Sequence, residues 1–381
     1  MNAFRLAIKN LWYYRVTAVN SVVLFASGMM VLLIIEMVRY SAEKFLSGSA
    51  GNVDMVLCAK GSPLQAVLAN VYHIDNPTGN VSRKAEMLLK NPMIRRYLPI
   101  SYGDQVSGMR LLGTTSKVLD FYNLKLVRGR WCQSPLEVVV GQEEALAKGW
   151  DIGTELISSH SEVNGTSHSE KLRVIGLVAS SASGITKRVI FTSLESVWLM
   201  HHSPPVEVTA YLVQFKSKMA LLTIPATINK NTPYQAALPS IEINRLLFMA
   251  AGLFEAVDLL GIIIVSLALL TIVLGMMNSL RERKREWLLM RLMGASMRQV
   301  VWVMVLESLV QLVLAGLLAW GVALIAGLAL PVALSDLGLD ELSLPPHVWW
   351  AIPGLVLMAV VSVLPVWIKL RKLPITIEMK G

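Results

Sequence analysis

Charge is what this 381-residue chain has least of. Only 16% of its residues are Asp, Glu, Lys or Arg, while 54% are hydrophobic; ordinary soluble proteins are about a quarter charged. That shortage, with a mean hydropathy of +0.55, excludes a wholly soluble enzyme. Cysteine is nearly absent: Cys58 and Cys132 are the only two, too few for a structural metal site. No G-x-x-x-x-G-K-[ST] occurs, so any ATP-driven motion needs a partner chain. H-E-x-x-H and G-x-S-x-G are missing too, as is G-x-G-x-x-G at a strand–helix junction. Of the six histidines only His201 and His202 are close in sequence, and adjacent residues on a helix point about 100° apart, which is poor ligand geometry. No catalytic constellation and no metal site emerge.

The apolar residues gather in four blocks, Thr17–Val38, Leu246–Leu280, Val300–Leu330 and His347–Leu370. Each is long enough for the ~20 residues of a spanning helix. Between the first two lies a polar stretch of ordinary composition, large enough for its own core. The expected fold is an α-helical membrane protein with four transmembrane helices and an α+β extracytoplasmic domain between the first two. In order, this gives an interfacial helix at 1–16, a span at 17–40 and the domain at 41–245. A second span with a stalk follows at 246–280, then an elbow at 281–298 and a third span at 299–330. An outer loop at 331–346, a fourth span at 347–370 and a tail at 371–381 complete the chain.

Orientation follows from Lys and Arg in the short flanks. Arg5, Lys9 and Arg15 precede the first span; Arg281, Arg283, Lys284, Arg285, Arg291 and Arg298 follow the second; Lys369, Arg371, Lys372 and Lys380 follow the fourth. The 331–346 loop carries Asp336, Asp340 and Glu341 and no basic residue. Both termini and the elbow are therefore expected in the cytoplasm, and the domain outside. The domain's surplus of five positive charges is too mild and scattered for nucleic acid; the cytoplasmic segments suit anionic lipid. The first apolar block lacks a clear small-x-small cleavage site and reads as a retained anchor. Before it, Phe4, Ala7, Ile8, Leu11 and Trp12 fall at helical spacing with Arg5 and Lys9. That suits a helix lying in the interface, the alternative being an ordinary basic flank.

Within the domain, Val53–Ala59, Met109–Gly113, Glu137–Gly141, Leu172–Val178, Arg188–Thr192 and Val208–Phe215 have strand character. Gln142–Lys148, Leu194–His201 and the stretch before Pro92 read as short helices. Ser158–Ser169 reads as an exposed hairpin or loop. Cys58 and Cys132 both fall in this domain, where an oxidising compartment permits a disulfide; two buried free thiols are the alternative.

Leu280–Leu309 is the most informative stretch. Arg281–Met293 reads as a short charged helix, Gly294 as its C-terminal stop, and Ser296 as an N-cap for the third span. A charged helix between two spans makes a lever. These residues resemble the elbow of the FtsX-like permease family, including MacB-type subunits of type VII ABC transporters. Glu282, Arg283, Arg285, Glu286, Arg291, Gly294, Ala295, Ser296 and Glu307 fill positions of its E-R-x-R-E-I-G-x-x-R-A-x-G-A-S pattern and the acidic residue beyond it. Trp287 and Leu288 replace the usual Ile-Gly, and Leu292 the usual Ala. Gly129-Arg130, Val138-Val139-Val140-Gly141 with Ala145, Gly153 and Val174-Ile175-Gly176 resemble the family's external series.

The resemblance implies a MacB-type periplasmic domain, a bacterial inner-membrane location and a dimer with a second copy or a close homologue. It also implies a separate ABC ATPase bound at the elbow and an external adaptor or substrate protein. No cofactor is expected on this chain; ATP and Mg²⁺ belong to the partner ATPase. The expected function is to transmit ATP-driven motion outward to extract or export a periplasmic or membrane substrate. The alternative is mechanical signalling to an external hydrolase or a sensor.

Several polar residues stand inside the apolar blocks. Glu255 and Asp258 share one face near the outer end of the second, where partial hydration accounts for them. Glu307 and Gln311 lie within the third span; for Glu307 the readings are helix packing, interfacial anchoring or a proton relay.

Overall fold

Runs too apolar to leave either face wet build the centre of the 43–250 unit. In the computed structural model, residues 3–50, 53–159, 167–179, 184–201, 207–282, 294, 296–334 and 342–346, with scattered positions between 353 and 368, are described. The chain opens with α1 (Ala3–Tyr13) and α2 (Arg15–Ala50), then β1 (Met55–Ala59), α3 (Pro63–Asn70), β2 (Val81–Ser82) and a 3₁₀ helix (Arg83–Leu89). Next come β3 (Ile94–Val106), β4 (Met109–Thr114), α4 (Lys117–Phe121), β5 (Leu126–Gly129), β6 (Glu137–Gly141) and α5 (Gln142–Lys148). Then follow β7 (Glu155–Ser159), β8 (Ser167–Val178), α6 (Ile185–Arg188), β9 (Val189–Ser193), α7 (Leu194–Met200) and β10 (Glu207–Val208). The remainder is β11 (Ala210–Phe215), α8 (Ala220–Asn231), β12 (Tyr234–Ala237), α9 (Pro239–Glu282) and α10 (Met297–Leu334).

Among the described residues ten strands form one mixed sheet in the order β12-β1-β11-β3-β4-β9-β6-β8-β5, with β7 pairing β3 and β8. β4–β9 and β6–β8 are parallel and the other pairs antiparallel. Because successive strand residues point to opposite faces, each strand feeds two cores. Val56 and Cys58 of β1, Ala210 and Leu212 of β11, and Phe191 of β9 join one cluster. Met55, Leu57, Tyr211 and Val213 face the opposite side, under the 3₁₀ helix and α8; Val138, Val140 and Ile190 continue that side. Sequence runs such as Val138-Val139-Val140 are continuous because both faces are dry.

Close approach explains one glycine pair. Gly129 has φ +77° and its absent Cβ would overlap the Ile175 carbonyl, while a Cβ at Gly176 would overlap that of Arg130. The edge strand β5 can lie against β8 only with glycine on both sides. β7 and β8 pair as a hairpin, with Ser159 opposite Ser167, at the place expected for a hairpin or loop.

The disulfide considered between Cys58 and Cys132 does not form; both thiols are free and buried. Cys58 sits on β1, whereas the Cys132 thiol meets the Glu137 carbonyl of β6 at 3.2 Å and the Phe191 carbonyl of β9 at 3.9 Å. β1 and β9 are four steps apart in the sheet, roughly 19 Å at about 4.8 Å per step. A disulfide needs Cα atoms within about 7 Å. Burial pushes the Cys58 thiol up to about 11. Burial, helped by the Glu137 charge, pushes Cys132 up to about 12.

Among the described residues three helices are long and apolar enough to cross a membrane, over Arg15–Leu46, Pro239–Thr271 and Arg298–Pro331. The fourth expected span, 347–370, lies almost wholly outside the described residues. Compact packing divides the chain into one unit of 1–42, 251–335 and 339–381, and another of 43–250 with 336–338.

Candidate functional site

The elbow residues that can be placed sit where a helix must be restarted. Gly294 has φ +94°, a conformation that costs an L side chain roughly 1–2 kcal/mol. An added Cβ would meet nothing within 4 Å, so the need for glycine is one of backbone angle and not of space. Two residues on, Ser296 Oγ accepts from Gln299 N at 3.3 Å while Gln299 Oε1 accepts from Ser296 N at 2.9 Å. This reciprocal capping box satisfies two donors at the start of α10. Ser296 is thus the N-cap that its sequence position suggested. Arg298 is exposed one residue into the helix.

Glu282 is the last residue of α9. Arg283, Arg285, Glu286, Arg291 and Ala295 lie outside the described residues.

About three turns into α10, Glu307 is buried and accepts a hydrogen bond from Asn10 Nδ2 of α1 at 2.5 Å. Ala7 of α1 is buried in one apolar cluster with Val300, Val303 and Met304. The amide therefore reaches the carboxylate along a packed seam, and α1 is docked on the first turns of α10. Gln311, one turn further, is half-buried. The outward side of α1 carries exposed Phe4, Ile8 and Trp12 beside exposed Arg5 and Lys9.

Asp258 and Glu255 part company. Asp258 pairs with Arg39 of α2 at 3.3 Å, and Arg39 also pairs with Glu36 at 2.6 Å; Glu255 is exposed. Gly261 lets α9 approach α2 closely: a Cβ there would overlap Leu32. Ser343 N donates to Ser41 Oγ at 3.0 Å.

The sequence reading missed Asn10 and Arg39 as partners of Glu307 and Asp258. The signal for Asn10 was its place three residues after Ala7, on the seam of an otherwise amphipathic helix. Among the described residues no group of His, Cys, Asp and Glu could hold a metal ion. Among the described residues of this site the geometry offers no nucleophile–base pair. It offers rigid attachment: a sharp backbone stop, a capped helix start, and a second helix pinned to that start.

Among solved structures, the periplasmic region of MacB from Actinobacillus actinomycetemcomitans matches with 17% identity. It covers 53% of this chain and 95% of that one, with a TM-score of 0.36. The extracellular domain of the noncanonic ABC-type transporter YknZ from Gram-positive bacteria matches with 12% identity, over 48% and 98% of the two chains, with a TM-score of 0.33. No curated protein sequence matches the chain. Residues 259–375, which hold the rest of α9, the Gly294 stop and the whole of α10, match the family model described as FtsX-like permease C-terminal. The membrane part of this chain is accordingly similar to the C-terminal part of FtsX-like permeases.

Proposed function

We propose that this chain is the permease subunit of an ABC system of the MacB type. A separate ATPase grips residues 281–298 from the cytoplasm, and two permease copies work as a pair. The single observation that carries this reading is the FtsX-like permease match over 259–375. The continuous helix α9 gives it a mechanism. Its 44 residues span about 66 Å at 1.5 Å each, more than twice the ~30 Å hydrocarbon core. One end of that helix is the elbow; the other begins directly after β12 of the external domain.

In this reading both termini are cytoplasmic, the membrane is the bacterial inner membrane, and the 43–250 unit works outside it. ATP and Mg²⁺ act on the partner ATPase. Closure of the ATPase pair pushes the elbow, and the Gly294 stop with its capped α10 passes that push to α9 and α10 together. α1 lies along the inner interface, with Phe4, Ile8 and Trp12 toward lipid and Arg5 and Lys9 toward headgroups. The external domain then extracts or exports a substrate that need not pass between the spans.

The test is reconstitution of the chain with its ATPase in nanodiscs, followed by Glu286→Ala and Arg291→Ala. Expected is an ATPase that still turns over while the cellular activity of the system is lost. Unchanged activity in both variants would remove the lever.

A further inference from the structure

We infer that the face of the external domain formed by the 3₁₀ helix and the β11–α8 turn is a docking surface for an acidic partner protein. This rests on the proposal that the domain works on something outside the membrane, and it names the chemistry of that partner.

A 3₁₀ helix has three residues per turn, so residues three apart eclipse. Lys84 and Met87 of the 3₁₀ helix, with Lys90 at its cap, therefore form one row, and all three are exposed. This row lies beside the start of β3 and the end of β11. Phe215 pairs with Ile94, and Lys216 N donates to the Met93 carbonyl at 2.8 Å. Ala85, Leu89, Ile94, Val213, Ala220 and Ile224 beneath share one core. The surface above them carries exposed Arg95, Lys216 and Lys218.

Two observations coincide on this surface. Elsewhere Arg128, Arg130 and Lys171 are matched by Asp151, Glu137 and Glu155, whereas Lys60, Lys117, Lys125 and Lys230 are exposed without an ion pair among the described residues. Lys84, Lys90, Arg95, Lys216 and Lys218 have no ion pair among the described residues. Glu86, the one acid of the 3₁₀ helix, is half-buried and accepts from the Tyr97 hydroxyl at 2.6 Å. The second observation is apolar exposure in the same place: Met87 is 71%, Met219 64% and Leu222 74% exposed.

Unpaired cations around exposed flexible apolar groups fit a protein interface, where apolar anchors supply affinity and rim charges steer the encounter. Methionine adapts to irregular partner surfaces. A membrane-surface site would carry Trp or Tyr at its rim; the exposed apolar groups here are Met and Leu. The partner that fits is an acidic protein surface with a small apolar socket.

The experiment places a photo-crosslinking residue at 219 or 222 of the full-length protein in cells and maps the attached peptide by mass spectrometry. Leu146, 75% exposed on α5 next to Glu143 and Glu144, is the control position. Expected is a product on one extracytoplasmic protein, attached within an acidic segment and absent from position 146. The triple variant Lys90→Glu, Lys216→Glu, Lys218→Glu should lower its yield at least five-fold. Attachment to a neutral or basic segment, a yield unaffected by charge reversal, lipid adducts alone, or no product would overturn the inference. The Glu286→Ala variant should leave the crosslink intact, so failure of the docking surface and failure of the lever are told apart.

Discussion

Asn10 and Glu307, 297 positions apart in the chain, meet through a 2.5 Å hydrogen bond in which the amide donates to a buried carboxylate. Glu307 is the residue whose presence in an apolar helix most needed explaining. Its setting is helix packing: a polar partner on α1 and a seam of Ala7, Val303 and Met304 around it.

Asn10→Leu removes the donor that α1 supplies to the Glu307 carboxylate. The expected cost is about 1–2 kcal/mol, read as a melting temperature lowered by several degrees in detergent. Glu307→Gln keeps a hydrogen-bonding pair and should lower it far less. Equal effects of the two would show that the amide–carboxylate bond does not hold α1.

Gly294→Val should impair coupling more than Gly294→Asn. Both lose glycine, but Asn tolerates positive φ and a β-branched residue does not. Since a Cβ meets nothing there, a difference between them is one of backbone angle. The measurement is cellular activity per ATP hydrolysed by the reconstituted complex; identical losses would point to a steric contact with the partner instead.

Acid should weaken the 43–250 unit through His73. This ring is buried at φ +59°, and its Nδ1 lies 2.6 Å from the Tyr102 hydroxyl. That hydroxyl gives its one proton to the Ala69 carbonyl, so Nδ1 carries the hydrogen and Nε2 is the bare nitrogen. Burial, with Arg188 and Arg110 nearby, holds the ring down at about 3. Below pH 6.5 the unfolded chain takes up a proton that the folded one refuses. Stability is therefore full above pH 6.5 and falls toward pH 3. Glu137, held at about 2 by Arg130, adds to the fall only below its ordinary value of 4.5. Between pH 6.5 and 4.5 the melting temperature of the wild type should drop more steeply than that of His73→Asn. Parallel slopes would contradict the assignment.

Cys58 and Cys132 should both resist maleimide in the native protein at pH 7 and both react after denaturation. A reductant should leave the melting temperature unchanged. A mass two units short of the dithiol form would show a bridge and contradict the sheet order.

Much of the fold of the 43–250 unit was legible because its strands are buried on both faces. Glu137–Gly141 and Gln142–Lys148 stand where the apolar run and the helical spacing put them. β3 was not legible: its 13 residues include Arg95, Arg96, Pro99 and Gly103, which argue against a strand until neighbours on both sides supply the pairing. α8 hid behind Pro225 in its interior. At the elbow, Gly294 and Ser296 were readable because a positive φ and a helix cap each favour few residue types. The partners Asn10 and Arg39 were not, since no local pattern ties either to a carboxylate more than two hundred positions away.

The most direct measurement is a crosslink from the start of α10. Arg298→Cys adds one exposed thiol to a chain whose own two thiols are buried, and a bifunctional maleimide can then be applied to the working complex in membranes. The expected result is a one-to-one adduct between position 298 and the ATPase, formed only when the cytoplasmic face is accessible. Labelling of that cysteine by an impermeant reagent from outside the cell, or a fully active system with no ATPase within reach of it, would contradict the lever.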